Sequence, residues 1–141
     1  MMVAVQSGYG TFRAVSYPWR LYCGVDALQH LGEEVTRAGA HRAFVVCGKT
    51  VARRTDLITR IQAELGDRFA GAFDGMDKDS TYPAVQAATA AARAAGADLL
   101  IAVGGGSVIV GTRVVAIFLG ETGDPFELMT QYPEGKPAYS P

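Results

Sequence analysis

The chain has 141 residues, 49% of them hydrophobic, with 13 basic and 14 acidic side chains and a net charge of −1. That is about one domain with enough apolar surface for a core, and its near-neutral charge argues against general attraction to nucleic acid or an anionic membrane. No apolar run reaches the ~18 residues needed to span a bilayer and Met1–Gly10 lacks a secretory pattern, so a cytoplasmic protein without nucleic-acid or membrane partners is expected.

Residues 1–16 carry Gly8, Gly10 and few periodic apolar positions, and read as an irregular or edge-strand leader. Tyr17-Pro-Trp-Arg-Leu-Tyr-Cys23 is short and aromatic-rich, which predicts a strand ended by Gly24. Asp26 is placed to cap a helix through Arg37, with Leu28, Leu31, Val35 and Ala38 on one face and Gly39 at its end. Arg42–Cys47 is a second apolar strand, closed by Gly48. Thr50 is positioned to cap the next helix, along which Leu57, Ile58, Ile61 and Leu65 recur at helical spacing until Gly66.

Phe69–Phe73 reads as a weaker strand ending at the turn pair Asp74-Gly75. Met76–Thr81 is polar loop, and Thr81 can cap a helix that has Pro83 in its first turn. Val85–Ala95 is alanine-rich, with a narrow apolar face suited to close packing. Gly96 ends it. Leu99–Val103 is an apolar run with the character of a buried strand, followed by Gly104, Gly105 and Gly106 and a helical pattern from Ser107 to Leu119. The order is β-α repeated four times at crossover spacing, which predicts an α/β fold: a Rossmann-like, mostly parallel sheet with helices on both faces. Residues 17–119 form this domain. Residues 120–141, rich in turn formers, read as a linker.

The glycine turn carries the chemistry. Three glycines let the backbone bend sharply and approach a ligand, Ser107 supplies a hydroxyl, and the helix start presents free N–H groups to a phosphate or pyrophosphate. The turn stands at the carboxyl end of a buried strand, where open α/β sheets bind ligands. A purely structural turn is the alternative. The spacing is neither G-x-G-x-x-G, since the next glycine is Gly111, nor a P-loop, since no Gly-Lys-Ser/Thr follows.

Gly48 ends the strand where dinucleotide folds often carry an acid for the adenosine ribose. Without that acid a 2′-phosphate is not repelled, and Lys49, Arg53 or Arg54 could attract one; a plain helix start with solvated cations explains the same residues. The Asp77–Thr81 loop reads equally as a border of the ligand or as a helix cap. Arg113, six residues past Ser107, is within reach of a phosphate or is simply solvated. His30 and His41 lie at no metal-site spacing, and Cys23 and Cys47 read as reduced, mostly buried thiols. No nucleophile triad is present.

Ala95-Gly-Ala-Asp-Leu-Leu-Ile-Ala-Val-Gly-Gly-Gly-Ser-Val-Ile109 closely resembles the cofactor-binding stretch of the iron-containing (group III) alcohol dehydrogenases. That family includes maleylacetate reductases and is related to glycerol dehydrogenase and dehydroquinate synthase. Leu21–Gly24, Arg42–Gly48 and Phe73–Gly75 extend the likeness over residues 17–119. The resemblance implies a dehydroquinate synthase-like amino-terminal domain that binds NAD or NADP, with Gly104, Gly105, Gly106 and Ser107 on the pyrophosphate and Gly48 on the ribose side. It also implies a helical carboxyl-terminal domain, toward which residues 120–141 would lead, that holds iron or zinc and completes hydride transfer between nicotinamide and a small alcohol, aldehyde or ketone. The family usually continues Gly-Gly-Gly-Ser-x-x-Asp-x-x-Lys; here Val110 and Arg113 stand at those places, so a cation is kept and a carboxylate lost. By this likeness the 141-residue chain alone would bind nucleotide weakly and catalyse nothing. A dehydroquinate synthase-like lyase domain and a non-catalytic nucleotide-binding module remain alternatives, and a homodimer is compatible with the surface the leader and linker leave.

Overall fold

Three parallel strands, β1 (Ala43–Cys47), β2 (Phe69–Phe73) and β3 (Leu99–Val103), form a sheet of order β2-β1-β3 in a computed structural model that describes residues 20–125. The connections are helical: α1 (Leu31–Arg37) precedes β1, α2 (Lys49–Arg54) and α3 (Leu57–Leu65) link β1 to β2, α4 (Tyr82–Ala94) links β2 to β3, and α5 (Gly106–Gly120) follows β3.

The central strand shows why both faces are covered. All five residues of β1 are buried, and alternation of side chains sends them to opposite sides. Phe44 and Val46 pack with Val85, Ala88 and Ala92 of α4 and with Val108, Val115 and Phe118 of α5. Ala43, Val45 and Cys47 pack with Val35 of α1 and with Ile61 and Leu65 of α3. Val45 and Val46 are wholly buried, each stabilising the fold by roughly 1.5–3 kcal/mol relative to exposure. Ala84, Ala88 and Ala92 recur every fourth residue on the buried face of α4, so that helix can lie close against its neighbours. Buried Thr89 and Thr112 donate their hydroxyls to Val85 O and Val108 O within their own helices.

β2 and β3 have the bounds expected from sequence, and the helices lie on both faces as expected. Three local expectations change. Arg20–Cys23 is not strand; Tyr22 instead stacks on His30 at 4.3 Å and donates its hydroxyl to Glu34, which draws the segment onto α1 and leaves Leu21 and Val25 exposed. Among the described residues the glycine turn therefore follows the third strand, not the fourth. The helix expected from Thr50 is two helices. Gly48 stands at the N-cap of α2, and the chain turns at Thr55, whose hydroxyl donates to Val51 O and accepts the Leu57 N–H. The Asp26 helix opens as a 3-10 turn, Ala27–His30, without a side-chain cap bond from Asp26. Gly39 and Gly66 take positive φ where helix ends were expected. The leader, Tyr17–Trp19 and the linker from Phe126 onward lie outside the described residues.

Asp98 joins the amino ends of β1 and β3. Its carboxylate accepts the N–H groups of His41 at 2.9 Å and Arg42 at 2.8 Å, and these bonds hold its carboxyl below the ordinary carboxylate range. The folded chain thus binds that proton more weakly than the unfolded chain. The resulting stability is present above the ordinary carboxylate range and is lost as pH falls through the folded value. Asp98→Asn should lower the thermal midpoint near about pH 7 and converge on the parent near about pH 2. A gap between the two melting curves that did not change with pH would assign the loss to packing instead.

Candidate functional site

Parallel strands put all their carboxyl ends on one edge, so β1 and β3 deliver Gly48 and the Gly104–Ser107 turn side by side. Gly104 has φ +156 and no room for a side chain, since a Cβ there would lie 2.7 Å from Val108 Cγ2. Gly105 is the N-cap of α5 in extended conformation. A Cβ on Gly105 or Gly106 would meet nothing within 4 Å. The first helical bond of α5 runs from Ile109 N–H to Gly105 O, which leaves the N–H groups of Gly106, Ser107 and Val108 at the open helix end. Open space, free donors and the positive end of a 15-residue helix together suit an anion.

Gly48 borders a cleft of 350 Å³ lined by Lys49, Thr50, Gly75, Met76, Asp77 and Lys78. A Cβ on Gly48 would come within 3.2 Å of Met76 O, so the loop after β2 crosses close to this position and any side chain here needs that loop to give. Lys49 is exposed at the cleft. Arg53 is turned toward Asp74 at 3.8 Å, and Arg54 is exposed in the last turn of α2. Of the three cations named from sequence, Lys49 alone lines the cleft.

In the Asp77–Thr81 loop, Thr81 stands at the N-cap position of α4, but its side chain makes no capping bond there, because its hydroxyl turns back onto Asp77. Asp77 accepts the Thr81 hydroxyl at 2.8 Å and the Thr81 N–H at 3.1 Å, and the bonds from Thr81 hold its carboxyl below the usual range. The same loop also borders the site, because Asp79 N–H donates to Ser107 Oγ at 3.2 Å and Ser80 Oγ donates to Ser107 O. Met76 was not legible as a site residue, and Ser80 only as a member of the Asp77–Thr81 loop. The available signals were a lone large apolar residue in a polar loop and a glycine, Gly111, inside a helix where it costs about 1 kcal/mol. In the fold the two meet: Met76 is buried, and a Cβ on Gly111 would lie 2.5 Å from its sulfur.

Val110 is 54% exposed and Arg113 is exposed on the same side of α5. His30 stacks on Tyr22 and lies 3.7 Å from Glu33, while His41 is in the turn before β1. Cys47 is buried and Cys23 is exposed, contrary to the expectation of two buried thiols, and both are free. Among the described residues no group of three His, Cys, Asp or Glu side chains could hold a metal ion, so iron or zinc does not fit this part of the chain. A larger depression of 520 Å³ lies along α1, but Arg68 reaches across it to Gly32 O and Thr36 Oγ1 at the opposite edge of the sheet. Among the described residues no helix is long and apolar enough to cross a membrane.

Residues 18–140 match the family model for iron-containing alcohol dehydrogenase. Maleylacetate reductase 2 of Cupriavidus pinatubonensis is 39% identical over 109 residues, which is 77% of this chain and 30% of that protein. The crystal structure of maleylacetate reductase from Agrobacterium tumefaciens superposes with a TM-score of 0.67 at 25% identity, over 78% of this chain and 31% of that one. NADH-dependent butanol dehydrogenase A from Thermotoga maritima shares the fold, with a TM-score of 0.72 at 19% identity over 83% of this chain and 30% of that one. The chain thus spans about a third of the length of these relatives. It belongs to the iron-containing alcohol dehydrogenase family.

Proposed function

We propose that this chain is the nicotinamide dinucleotide-binding part of an oxidoreductase of its family, with the pyrophosphate held at Gly104–Ser107. The observation that carries the reading is the open glycine turn at the carboxyl end of β3, ahead of the unbonded first turn of α5. Gly105 and Gly106 let the ligand approach the backbone, the N–H groups of Gly106, Ser107 and Val108 bind its negative charge, and the Gly48 cleft takes the adenosine ribose. Bound NAD or NADP supplies a hydride donor or acceptor for an alcohol or carbonyl carbon. The name of one relative, NADH-dependent butanol dehydrogenase, supports a nicotinamide ligand, and the maleylacetate reductases support a reductive, hydride-transferring role. The metal and the substrate pocket belong to parts of the enzyme outside the described residues.

Calorimetric titration with NADH and NADPH tests this. Both should bind, NADPH within about tenfold of NADH, because Gly48 presents no carboxylate to a 2′-phosphate and Lys49 stands beside it. Exclusion of NADPH would refute the assignment of Gly48 to the ribose side. The same protein with added iron or zinc is expected to show no alcohol oxidation, and robust turnover would move the active site onto this chain. A non-catalytic nucleotide-binding module is the second reading, favoured by exposed Val110 in the place of the family's acid.

A further inference from the structure

The loop after β2 is tied to the glycine turn by more than packing. Met76 N–H donates to Cys47 O at the end of β1, and the Met76 side chain is buried against Gly111 of α5. Asp77 closes the loop on Thr81. Between these anchors Asp79 and Ser80 both take left-handed backbone angles, φ 70 and φ 51, which residues other than glycine seldom adopt in succession. That conformation turns the Asp79 N–H onto Ser107 Oγ and the Ser80 hydroxyl onto Ser107 O.

A serine hydroxyl has one proton to donate and two lone pairs that accept. The Asp79 N–H occupies an accepting lobe of Ser107 Oγ from the loop side, and among the described residues the Ser107 proton has no acceptor of its own. An N–H donor on one side of the oxygen repels the hydroxyl proton and turns it away. Ser107 follows directly on Gly105 and Gly106, over which a Cβ would meet nothing within 4 Å, so the turn beside it is open to a ligand.

We infer that Ser80 and the Asp79 N–H are positioning groups for the dinucleotide: they hold Ser107 so that its hydroxyl proton is aimed at a phosphate oxygen on the glycine turn. The inference rests on the pyrophosphate reading of that turn. Ser80 touches no ligand and acts through Ser107. The left-handed angles at Asp79 and Ser80 are the conformational cost of this orientation, kept where a site requires it.

The test is titration of the 141-residue chain with ADP and with adenosine, for the parent, Ser80→Gly, Ser107→Ala and the double variant. Glycine accepts the left-handed angle freely, so Ser80→Gly removes the hydroxyl while easing the backbone, and its thermal midpoint should hold. ADP binding should weaken about tenfold in each single variant, as expected for one hydrogen bond to a charged group, and no further in the double variant. Adenosine binding, which involves no phosphate, should not change. A loss of ADP and adenosine in equal proportion, or ADP binding by Ser80→Gly at parental strength, would make the Ser80–Ser107 bond merely structural and overturn the inference. Fully additive losses would overturn it too, since independent effects are not positioning. Should Ser80→Gly fail to fold, Ser107→Ala, an ordinary substitution in a helix first turn, carries the ADP-against-adenosine comparison. A folded parent that binds no ADP overturns the pyrophosphate reading and this inference with it, whereas a parent that binds and a Ser80→Gly that binds equally overturn the inference alone.

Discussion

Gly105→Val is expected to abolish dinucleotide binding while the chain stays folded. Gly105 sits at φ −84, ψ −167, extended backbone that a β-branched residue adopts without strain. A Cβ there meets nothing within 4 Å, so the valine enters open space over the turn without a clash in the fold. Replacing glycine at an N-cap by an apolar residue costs about 1 kcal/mol, which the fold should absorb. Binding should fall on the order of 100-fold or more, about 2.7 kcal/mol, because the added methyls occupy the path to the N–H groups of Gly106 and Ser107. Calorimetry with NADH beside a thermal melt separates the two effects. Equal binding by the variant would remove the pyrophosphate from this turn. Gly104 behaves differently: with φ +156 and Val108 Cγ2 at 2.7 Å from a Cβ, its replacement by alanine should damage folding first, so it is the poorer probe of binding.

Gly111→Leu should unfold the chain more readily by about 3 kcal/mol, a large share of a domain's margin. The position lies in the middle of α5, and a Cβ there would stand 2.5 Å from Met76 Sδ and 2.8 Å from Met76 Cε. Leucine must expel Met76, which is only 4% exposed, from its place against Phe44, Val46 and Val108. Alanine is a milder case, because its helix propensity gain of about 1 kcal/mol opposes a contact that a flexible methionine can relax. The interlock makes a further demand. Met76→Ala in the Gly111→Leu background vacates the space that leucine needs, so the double variant should recover part of the loss in a chemical denaturation cycle. If the double variant is as unstable as the sum of the singles, Met76 is not what requires a glycine at 111.

The candidate site was legible in part. Gly104–Ser107 could be read because three adjacent glycines behind Leu99–Val103 are a local pattern, and local patterns survive folding. Gly48 could be read for the same reason, being the first break after Ala43–Cys47. Lys49 could not be separated from Arg53 and Arg54 without the fold, since only there does Arg53 turn toward Asp74. The partnership of Ser80 with Ser107 was not visible, because 27 residues separate them and a serine in a polar loop has no distinguishing pattern. Of the strand expected over Tyr17–Cys23, the described residues Arg20–Cys23 are not strand. Aromatic content favours a strand wherever a partner exists, and Tyr22 found His30 and Glu34.

The amino-acid order by itself determined the parallel α/β architecture, the bounds of β2 and β3, the glycine turn and the family. These rest on periodicity and on short contiguous motifs, which act over the length of one element. Tertiary structure alone decided that β1 is the central strand, that Met76 fits against Gly111, and that a strained loop reaches back to hold Ser107. Those depend on which distant residues share a surface, and the free energy of such contacts belongs to the assembled sheet and helices, not to any one stretch of chain.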